Sequence, residues 1–403
     1  MSQAKKINRD KTTLFFSKSV TEVDIQIIKG VLGVREIQHY EKYLGLPSLT
    51  GKGKKASFNY IKERIWRKLQ GWEGKLLSRA SREVLIKAVI QAIPTYTMGC
   101  FKLPIGLFNE IEVMTRKFWW GQRGDKRKIH WLKWSEMTKS KSEGGMGFRD
   151  LTLHNESLLA KQAWRLLQDQ SSLFYKVFKP RFFPNCTIME AEESSRGSYA
   201  WRSILYGRDV IKRGACWRIG TGQKVQIWQH TWLPSKPPTR VLSPMLEGWE
   251  KTTVEVLINE ENRTWNDEVL AGLFVPEEVE LIKRIPLLKH PTENKLYWSW
   301  TQNGQYTYKS GYRFLKKEEE VVRPEVAQNR DKNLWRSIWS LQVPNRVKTF
   351  LWRVCHDAIP TKSNLKRRHI LVDSLCECCW KEDKTPLHAL WSCSELSSVW
   401  SLS

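Results

Sequence analysis

The 403-residue sequence lacks the signatures of several protein classes. No window approaches the roughly 20 consecutive apolar residues of a membrane helix, and the N-terminus, MSQAKKINRDK, has no apolar segment of a secretory signal. Walker-type glycine loops, G-x-S-x-G elbows and H-E-x-x-H helices are also absent. These absences predict an intracellular protein, in the nucleus or cytoplasm, with no membrane partner, and disfavour the corresponding enzyme classes.

Acidic residues are scarce relative to basic ones. Lys and Arg number 67 against 42 Asp and Glu, which gives a formal net charge of +25. Residues 1–150 hold 30 basic and 14 acidic residues, whereas residues 151–300 hold 20 and 17, and residues 301–403 hold 17 and 11. Because Lys and Arg displace counterions from phosphates, this asymmetry predicts a polyanion partner. The alternative is a basic face that serves only solubility.

Four residues near the C-terminus form the pattern C-x2-C-x8-H-x4-C: Cys376, Cys379, His388 and Cys393. Two cysteines separated by two residues can bind one metal ion from a single turn, and the His and Cys that follow can complete a tetrahedron. Zinc favours such a closed set of sulfur and nitrogen ligands where its role is structural. The pattern therefore predicts a structural Zn²⁺ module and disfavours a zinc hydrolase, which needs an open coordination position.

Other interpretations of these cysteines stay open. Clustered thiols can be reduced core residues, although the correctly spaced His disfavours this alternative. Cys378 adjoins Cys379 and leaves the register of the first pair ambiguous, but only Cys376 and Cys379 have the usual spacing. Disulfides are disfavoured by the missing secretory signal and by the scatter of the remaining cysteines.

Basic residues cluster at two places that could contact nucleic acid. One is a glycine-bearing loop at 51–55 together with a helix predicted over 57–70, and the other is the stretch at 362–369, beside the zinc ligands. Taken singly, each of these residues is more simply a solvated helix surface. The predicted contacts are Lys52, Lys54, Lys55, Lys62, Arg64, Arg67, Lys68, Lys366, Arg367 and Arg368.

The apolar periodicity predicts an α+β protein that is predominantly helical, with two or more short β-hairpins and a small C-terminal zinc module. Helices are expected over 57–70, 82–92, 108–120, 155–168 and 201–213, with a turn at 71–74. Ser81 is expected to cap the second helix, with Val84, Leu85, Ala88 and Val89 in the core. Hairpins are expected over 215–228 and 296–308, the latter around Asn303-Gly304, and a mobile connection over 316–332.

Several segments resemble the reverse transcriptases of plant non-LTR (LINE-type) retrotransposons. These are KKINRDKTTLFFSKSV at 5–20, YLGLP at 43–47, LQGWEGKLLSRASREVLIKAVIQAIPTYTMGCFKLP at 69–104, FWWGQRGDKRKIHWLKWSEM at 118–137 and GGMGFRDLTLHNESLLAKQAWRLL at 144–167. Residues 334–400 resemble the zinc-binding domain of the same polyproteins. The resemblance implies four regions: a palm end (1–35), a basic thumb or connection (36–135), a mixed middle (136–290) and a hairpin with the zinc domain (291–403).

Polymerases of that family hold magnesium with an Asp-Asp turn, and no Asp-Asp pair occurs in this sequence. The resemblance therefore implies a non-enzymatic protein derived from a retrotransposon, which lacks the polymerase, endonuclease and ribonuclease H sites. The expected partner is RNA or an RNA–DNA hybrid, bound without catalysis. A scaffold for protein partners and a remnant without function are the alternatives.

Overall fold

The computed structural model describes residues 13–14, 16, 20–36, 45–47, 53–73, 75–122, 128–193, 197–235, 239–290, 292–322 and 332–401. The predicted contact Lys52 and most of the KKINRDKTTLFFSKSV segment lie outside these ranges. A helix long and apolar enough to cross a membrane does not occur among the described residues.

A small β-α-β unit comes first in the chain. It consists of β1 (Thr13–Leu14), α1 (Glu22–Leu32) and β2 (Arg35–Glu36). The two strands pair in parallel. The Thr21 side chain caps the start of α1, and Gly33 ends it with a left-handed φ of 60°.

The next region is a helical core. Its helices are α2 (Lys54–Glu73), α3 (Arg79–Leu85), α4 (Thr95–Met98), α5 (Ile105–Trp120) and α6 (Trp134–Thr138), with a π-helical turn at Ile86–Ile90 and a 3-10 turn at Lys141–Glu143. The apolar stripe predicted for the first helix is confirmed, since its members are the buried residues of α2: Phe58, Ile61, Ile65 and Leu69. They pack against buried residues of α5, such as Leu107 and Ile111.

The boundaries predicted for α2 are wrong at both ends. Lys54 and Lys55 belong to the helix rather than to a flexible loop, and the residues from Gly71 to Glu73 continue it rather than forming a turn. The last turn is held because the Trp72 ring packs 5.8 Å from that of Phe118. Tertiary packing thus overrides the glycine signal.

The second predicted helix also differs in its cap and its buried face. Ser78, not Ser81, caps α3, because its side chain accepts a hydrogen bond from the Ser81 N–H. Val84 is 59% exposed, whereas Ile86 and Ile90 are buried. The inward face therefore differs from the predicted one, and the chain continues as a π-helical turn with a different angular spacing.

A second core lies between helices of the middle and later chain. It is built from α7 (Leu151–Gln168), α8 (Leu173–Phe182), α9 (Tyr199–Gly214) and α12 (Tyr308–Val322). The helices predicted over 155–168 and 201–213 are thereby confirmed with slightly wider bounds. The polar stretch predicted as a mobile connection is in part helical, since α12 extends to Val322.

The two predicted hairpins are replaced by a pairing between them. β3 (Ala215–Arg218) pairs antiparallel with β6 (Lys295–Trp298), in the register Ala215↔Trp298 to Arg218↔Lys295. The Asn303-Gly304 turn does form, with Gly304 at φ 68° and its carbonyl accepting from the Trp298 N–H at 2.8 Å. A second strand does not follow, because Tyr308 begins α12.

A third core is formed by apolar residues that lie between Trp217 and Leu287 in the described parts of the chain. It contains β4 (Ile258–Asn259), β5 (Thr264–Trp265), α10 (Asp267–Leu273), α11 (Pro276–Lys283) and a 3-10 turn at Val254–Leu257. β4 and β5 form a short antiparallel pair that the sequence did not indicate. α11 begins at Pro276, a residue type that suits the first turn of a helix.

The C-terminal helices are α13 (Lys332–Ser340), α14 (Asn345–Cys355), α15 (Lys362–Lys366) and α16 (Ser397–Trp400). α13 and α14 contribute Trp335, Ile338 and Trp352 to the first core. Trp352 is fully buried, and its indole N–H donates to the Gly144 carbonyl at 2.7 Å. The predicted fold class, mainly helical with short antiparallel strand pairs and a C-terminal Cys/His cluster, is confirmed.

Candidate metal centre

Cys376 and Cys379 lie on one tight turn of residues 374–384. An antiparallel bridge between Leu375 and Asp383 closes the turn. The Cys376 N–H donates to the Glu382 carbonyl at 2.8 Å, and the Trp380 N–H donates to the Cys376 carbonyl at 2.9 Å. These bonds direct the two cysteine side chains to the same side, as their spacing predicts.

His388 and Cys393 come from the segment that follows. The Thr385 hydroxyl accepts from the His388 N–H at 3.1 Å and fixes the start of a π-helical turn at His388–Ser392. The Cys393 N–H donates to the His388 carbonyl at 3.1 Å. This wider turn brings two residues five positions apart to the same point.

The four side chains have the geometry of a tetrahedral site. Their ligand atoms all lie within 4.8 Å of one another. The Sγ atoms of Cys376 and Cys393 are 3.9 Å apart, and Cys379 Sγ is 3.3 Å from His388 Nε2. Zinc–sulfur bonds of about 2.3 Å would place tetrahedral corners roughly 3.8 Å apart. The donor set and its spacing therefore fit zinc.

Backbone hydrogen bonds favour the thiolate form that a metal requires. The N–H groups of Cys379 and Cys378 point at the Cys376 sulfur and lower its pKa to about 6. The N–H groups of Lys381 and Glu382 likewise lower the pKa of Cys379. The turn thus stabilises negative charge at two of the three sulfurs.

Burial raises the pKa of the third sulfur, that of Cys393. Cys376, His388 and Cys393 are all buried. The adjacent Cys378 is exposed and lies outside the cluster, which resolves the register in favour of Cys376 and Cys379.

One further residue of the site was not identified from the sequence. The Glu382 carboxylate lies 3.0 Å from His388 Nδ1 and orients the ring so that Nε2 faces Cys379. Carboxylate partners of this kind fix the tautomer of a metal-binding His. Glu382 follows Cys379 by three residues, but spacing alone does not distinguish it from its acidic neighbours.

The zinc-site region matches a known domain. Residues 306–400 match the family described as zinc-binding in reverse transcriptase. An Uncharacterized mitochondrial protein of Arabidopsis thaliana is 39% identical over 148 residues, which are 36% of this chain and 96% of that protein. The chain belongs to the reverse-transcriptase-related proteins. The cofactor of the Cys/His cluster in its zinc-binding domain is therefore Zn²⁺.

A longer protein is also similar to this chain. It is named Putative ribonuclease H protein, comes from Arabidopsis thaliana, and is 32% identical over 368 residues. The match covers 88% of this chain but 57% of the relative. The chain thus spans little more than half the length of that relative.

The predicted basic contacts on α2 divide into two groups. Lys55 and Lys62 both pair with Glu110 of α5, the second at 2.9 Å. Lys54 lies 4.8 Å over the ring of Tyr199. These three lysines therefore have intramolecular partners.

Arg64, Arg67 and Lys68 form the second group. They lie on one flank of α2, are exposed, and form no ion pair or side-chain hydrogen bond within the described ranges of the chain. Their spacing of three and four residues places them as neighbours on the helix surface. We call these three residues the α2 flank.

The basic residues beside the zinc ligands are held by their neighbours. Lys366 donates to Ser374 Oγ at 3.2 Å, and Arg367 donates to Asn364 Oδ1 at 2.6 Å. Arg368 donates to the Trp131 carbonyl at 2.9 Å and lies 5.1 Å from the centre of that ring. Arg368 thereby links the zinc-binding domain to the first core.

A group of arginines between α3 and α14 was not identified from the sequence. Arg79 and Arg82 donate to the Trp119 carbonyl, while Arg353 donates to the Ala358 carbonyl. Burial, and then the charges of Arg353 and Arg82, lower the pKa of Arg79 to about 9. The spacing of Arg79 and Arg82 puts them on one helix face, but no local pattern could indicate that Arg353 joins them.

Proposed function

We propose that this protein binds nucleic acid without catalysis, as a derivative of a reverse transcriptase, and that its zinc ion is structural. The expected ligand is RNA or an RNA–DNA hybrid. The binding contact is made mainly with phosphates, so it tolerates changes of base sequence.

The observation that carries this proposal is the α2 flank. Three adjacent cations are displayed on one side of a helix whose opposite side is neutralised by Glu110. Exposed cations without a carboxylate partner retain their full charge for phosphate groups. The neighbouring Arg79, Arg82 and Arg353 add support, because a bound phosphate would relieve the repulsion between their guanidinium groups.

The ligand set supports a structural role for zinc. All four corners of the tetrahedron are protein atoms, so no position is left for an activated water. None of the described residues 374–393 belongs to the three hydrophobic cores, so apolar packing adds little to the stability of the turn that holds Cys376 and Cys379. The metal would therefore supply folding energy to this part of the chain.

The name of one relative suggests ribonuclease H activity for that protein. Such hydrolysis needs carboxylates that hold two metal ions. Among the described residues, one group of three or more His, Cys, Asp or Glu side chains is close enough to hold a metal ion. That group is the Cys/His cluster. Binding is therefore the function that these residues support best.

The test is a salt titration of binding to a labelled RNA–DNA hybrid, measured by fluorescence anisotropy. The variant Arg64→Gln, Arg67→Gln, Lys68→Gln removes the α2 flank. We expect weaker binding and a slope of log K against log salt that is less steep by about 2 to 3, because up to three phosphate contacts are lost.

The matched control is Lys161→Gln, Lys176→Gln, Lys251→Gln, which removes the same charge from exposed lysines elsewhere. An equal loss in both variants would contradict a specific role for α2. If the chain ignores hybrid, RNA and DNA even at low salt, the nucleic-acid function is wrong. The scaffold alternative instead predicts protein-partner binding that persists after Lys54, Lys55 and the α2 flank are neutralised.

A further inference from the structure

A concave cavity lies where β3 and β6 meet the Asn303-Gly304 turn. It encloses about 430 Å³, within the range of small-molecule sites. Its walls come from the β3–β6 pair, from the turn at 301–305, and from residues 284–286 after α11. Because β3 pairs with β6 rather than with the chain that follows it, this cavity could not be predicted from the sequence.

The cavity is cationic. Arg218, Arg284 and Lys295 line it, and none of the three forms an ion pair or side-chain hydrogen bond among the described residues. No Asp or Glu is found among the described side chains of its wall. Strand pairing itself places Arg218 directly opposite Lys295, so two like charges face each other across the sheet. An anion between them would remove this repulsion.

The same cavity offers an aromatic surface. The half-buried Trp217 contributes to the cavity wall. The His230 ring packs near the Trp217 ring, with ring centres 5.8 Å apart. Ile285 and Pro286 add apolar surface. A partly exposed tryptophan near unpaired cations is suited to binding a single strand, because a base can stack on the ring while the cations contact phosphate.

Three amide residues, Gln302, Asn303 and Gln305, also line the cavity. Each can both donate and accept hydrogen bonds, as the edge of a base requires. An acidic peptide would use the cations but would leave the ring and the amides without a role. The surface therefore favours a nucleotide over a peptide carboxylate.

This cavity is remote from the α2 flank. α9 begins at Tyr199, whose ring lies 6.2 Å from that of Phe58 in α2, and it ends where β3 starts. With 16 residues the helix is about 24 Å long. We propose that the β3–β6 cavity binds one unpaired nucleotide of a single-stranded nucleic acid, at a second site along the strand. This inference rests on the proposed nucleic-acid function.

The test uses the full-length, zinc-loaded chain and a labelled hexauridylate, which is short enough to occupy one site. Replacement of the cavity cations by Arg218→Gln, Arg284→Gln, Lys295→Gln should weaken hexauridylate binding at least tenfold and reduce its salt slope by about 2. Trp217→Leu, which keeps apolar volume without a flat ring, should weaken it roughly 5- to 100-fold. The control is again Lys161→Gln, Lys176→Gln, Lys251→Gln.

Binding to the RNA–DNA hybrid reports whether each variant is folded and whether the two sites are separate. We expect the cavity variants to keep hybrid affinity within about threefold, and the α2-flank variant to lose it. If the cavity variants match the control for hexauridylate while the α2-flank variant loses the hybrid, the cavity inference fails and the proposed function stands. Loss of hybrid binding by neither variant would instead count against the proposed function.

Two competitors identify the ligand. Hexaglutamate peptide should not displace hexauridylate, and equal competition would mean an acidic-peptide site. Free uridine monophosphate should compete at least tenfold more weakly than the hexamer, because it lacks the neighbouring phosphates. Equal competition by the monomer would overturn the assignment to a strand.

Discussion

Glu382 determines how one zinc ligand is presented, although it is not itself a ligand. Its carboxylate accepts from His388 Nδ1, which leaves Nε2 as the metal-binding atom. The same residue also accepts the Cys376 N–H through its backbone carbonyl, and thereby helps close the cysteine turn. Local shape and ligand tautomer thus depend on a single position.

Glu382→Ala is expected to weaken zinc binding by roughly 10- to 100-fold, because the His388 ring loses its orienting partner. The zinc affinity of Glu382→Gln should lie between those of Glu382→Ala and the native protein, since the Gln amide oxygen still accepts the hydrogen bond but carries no charge. Competition with a chromophoric chelator measures the affinity. Glu395→Ala, a nearby exposed carboxylate with no side-chain partner in the described chain, should leave it unchanged.

At the scale of elements, the close approach of α7 and α9 depends on Gly207. A Cβ at this position would lie 2.3 Å from the carbonyl carbon of Leu159, a backbone atom that cannot move aside. Gly71 in α2 is the opposite case, because a Cβ there would meet nothing within 4 Å. The same residue type therefore has different roles in two helices.

Gly207→Ala and Gly71→Ala should change stability with opposite signs. The first is expected to destabilise the fold by about 1–3 kcal/mol or more, because the two helices must separate. The second should stabilise α2 by roughly 0.5–1 kcal/mol, since Ala has less backbone entropy to lose in a helix. Thermal unfolding followed by circular dichroism gives the sign. Two shifts in the same direction would contradict this account of the packing.

At the scale of the whole molecule, the C-terminal part of the chain contains two regions with different packing. α13 and α14 are fixed by the first core through Trp335 and Trp352. Residues 374–393 instead surround the Cys/His cluster outside the three hydrophobic cores, and Trp380 and Trp391 are 67% exposed there. The zinc site and the helical core should therefore respond separately to loss of the metal.

Zinc removal by a chelator is expected to increase amide exchange over residues 374–401 while α2, α5 and α14 stay protected. The reason is that the buried contacts of α14, including the bond from Trp352 to Gly144, do not involve the metal site. Hydrogen exchange with mass spectrometry resolves the two regions. Restoration by zinc but not by magnesium is the control, and global loss of protection would show that the metal supports the entire fold.

The sequence alone determined the features that depend on local spacing. The zinc ligands were identified because a turn and a wide helical turn act over a few residues, and the buried stripe of α2 followed from helical periodicity. The sequence did not predict the ends of α2 or the cap of α3 correctly. At the end of α2 the packing of Trp72 overrode the local glycine signal, and at α3 Ser78 rather than Ser81 is the cap.

Only the tertiary structure decided which distant residues meet. It paired β3 with β6 instead of forming two hairpins, and so created the cationic cavity. It also neutralised Lys55 and Lys62 through Glu110 while it left the α2 flank free of carboxylates in the described chain. The sequence determines charge and strand propensity. Which distant strand or charged side chain a residue contacts depends on the packing of the whole chain.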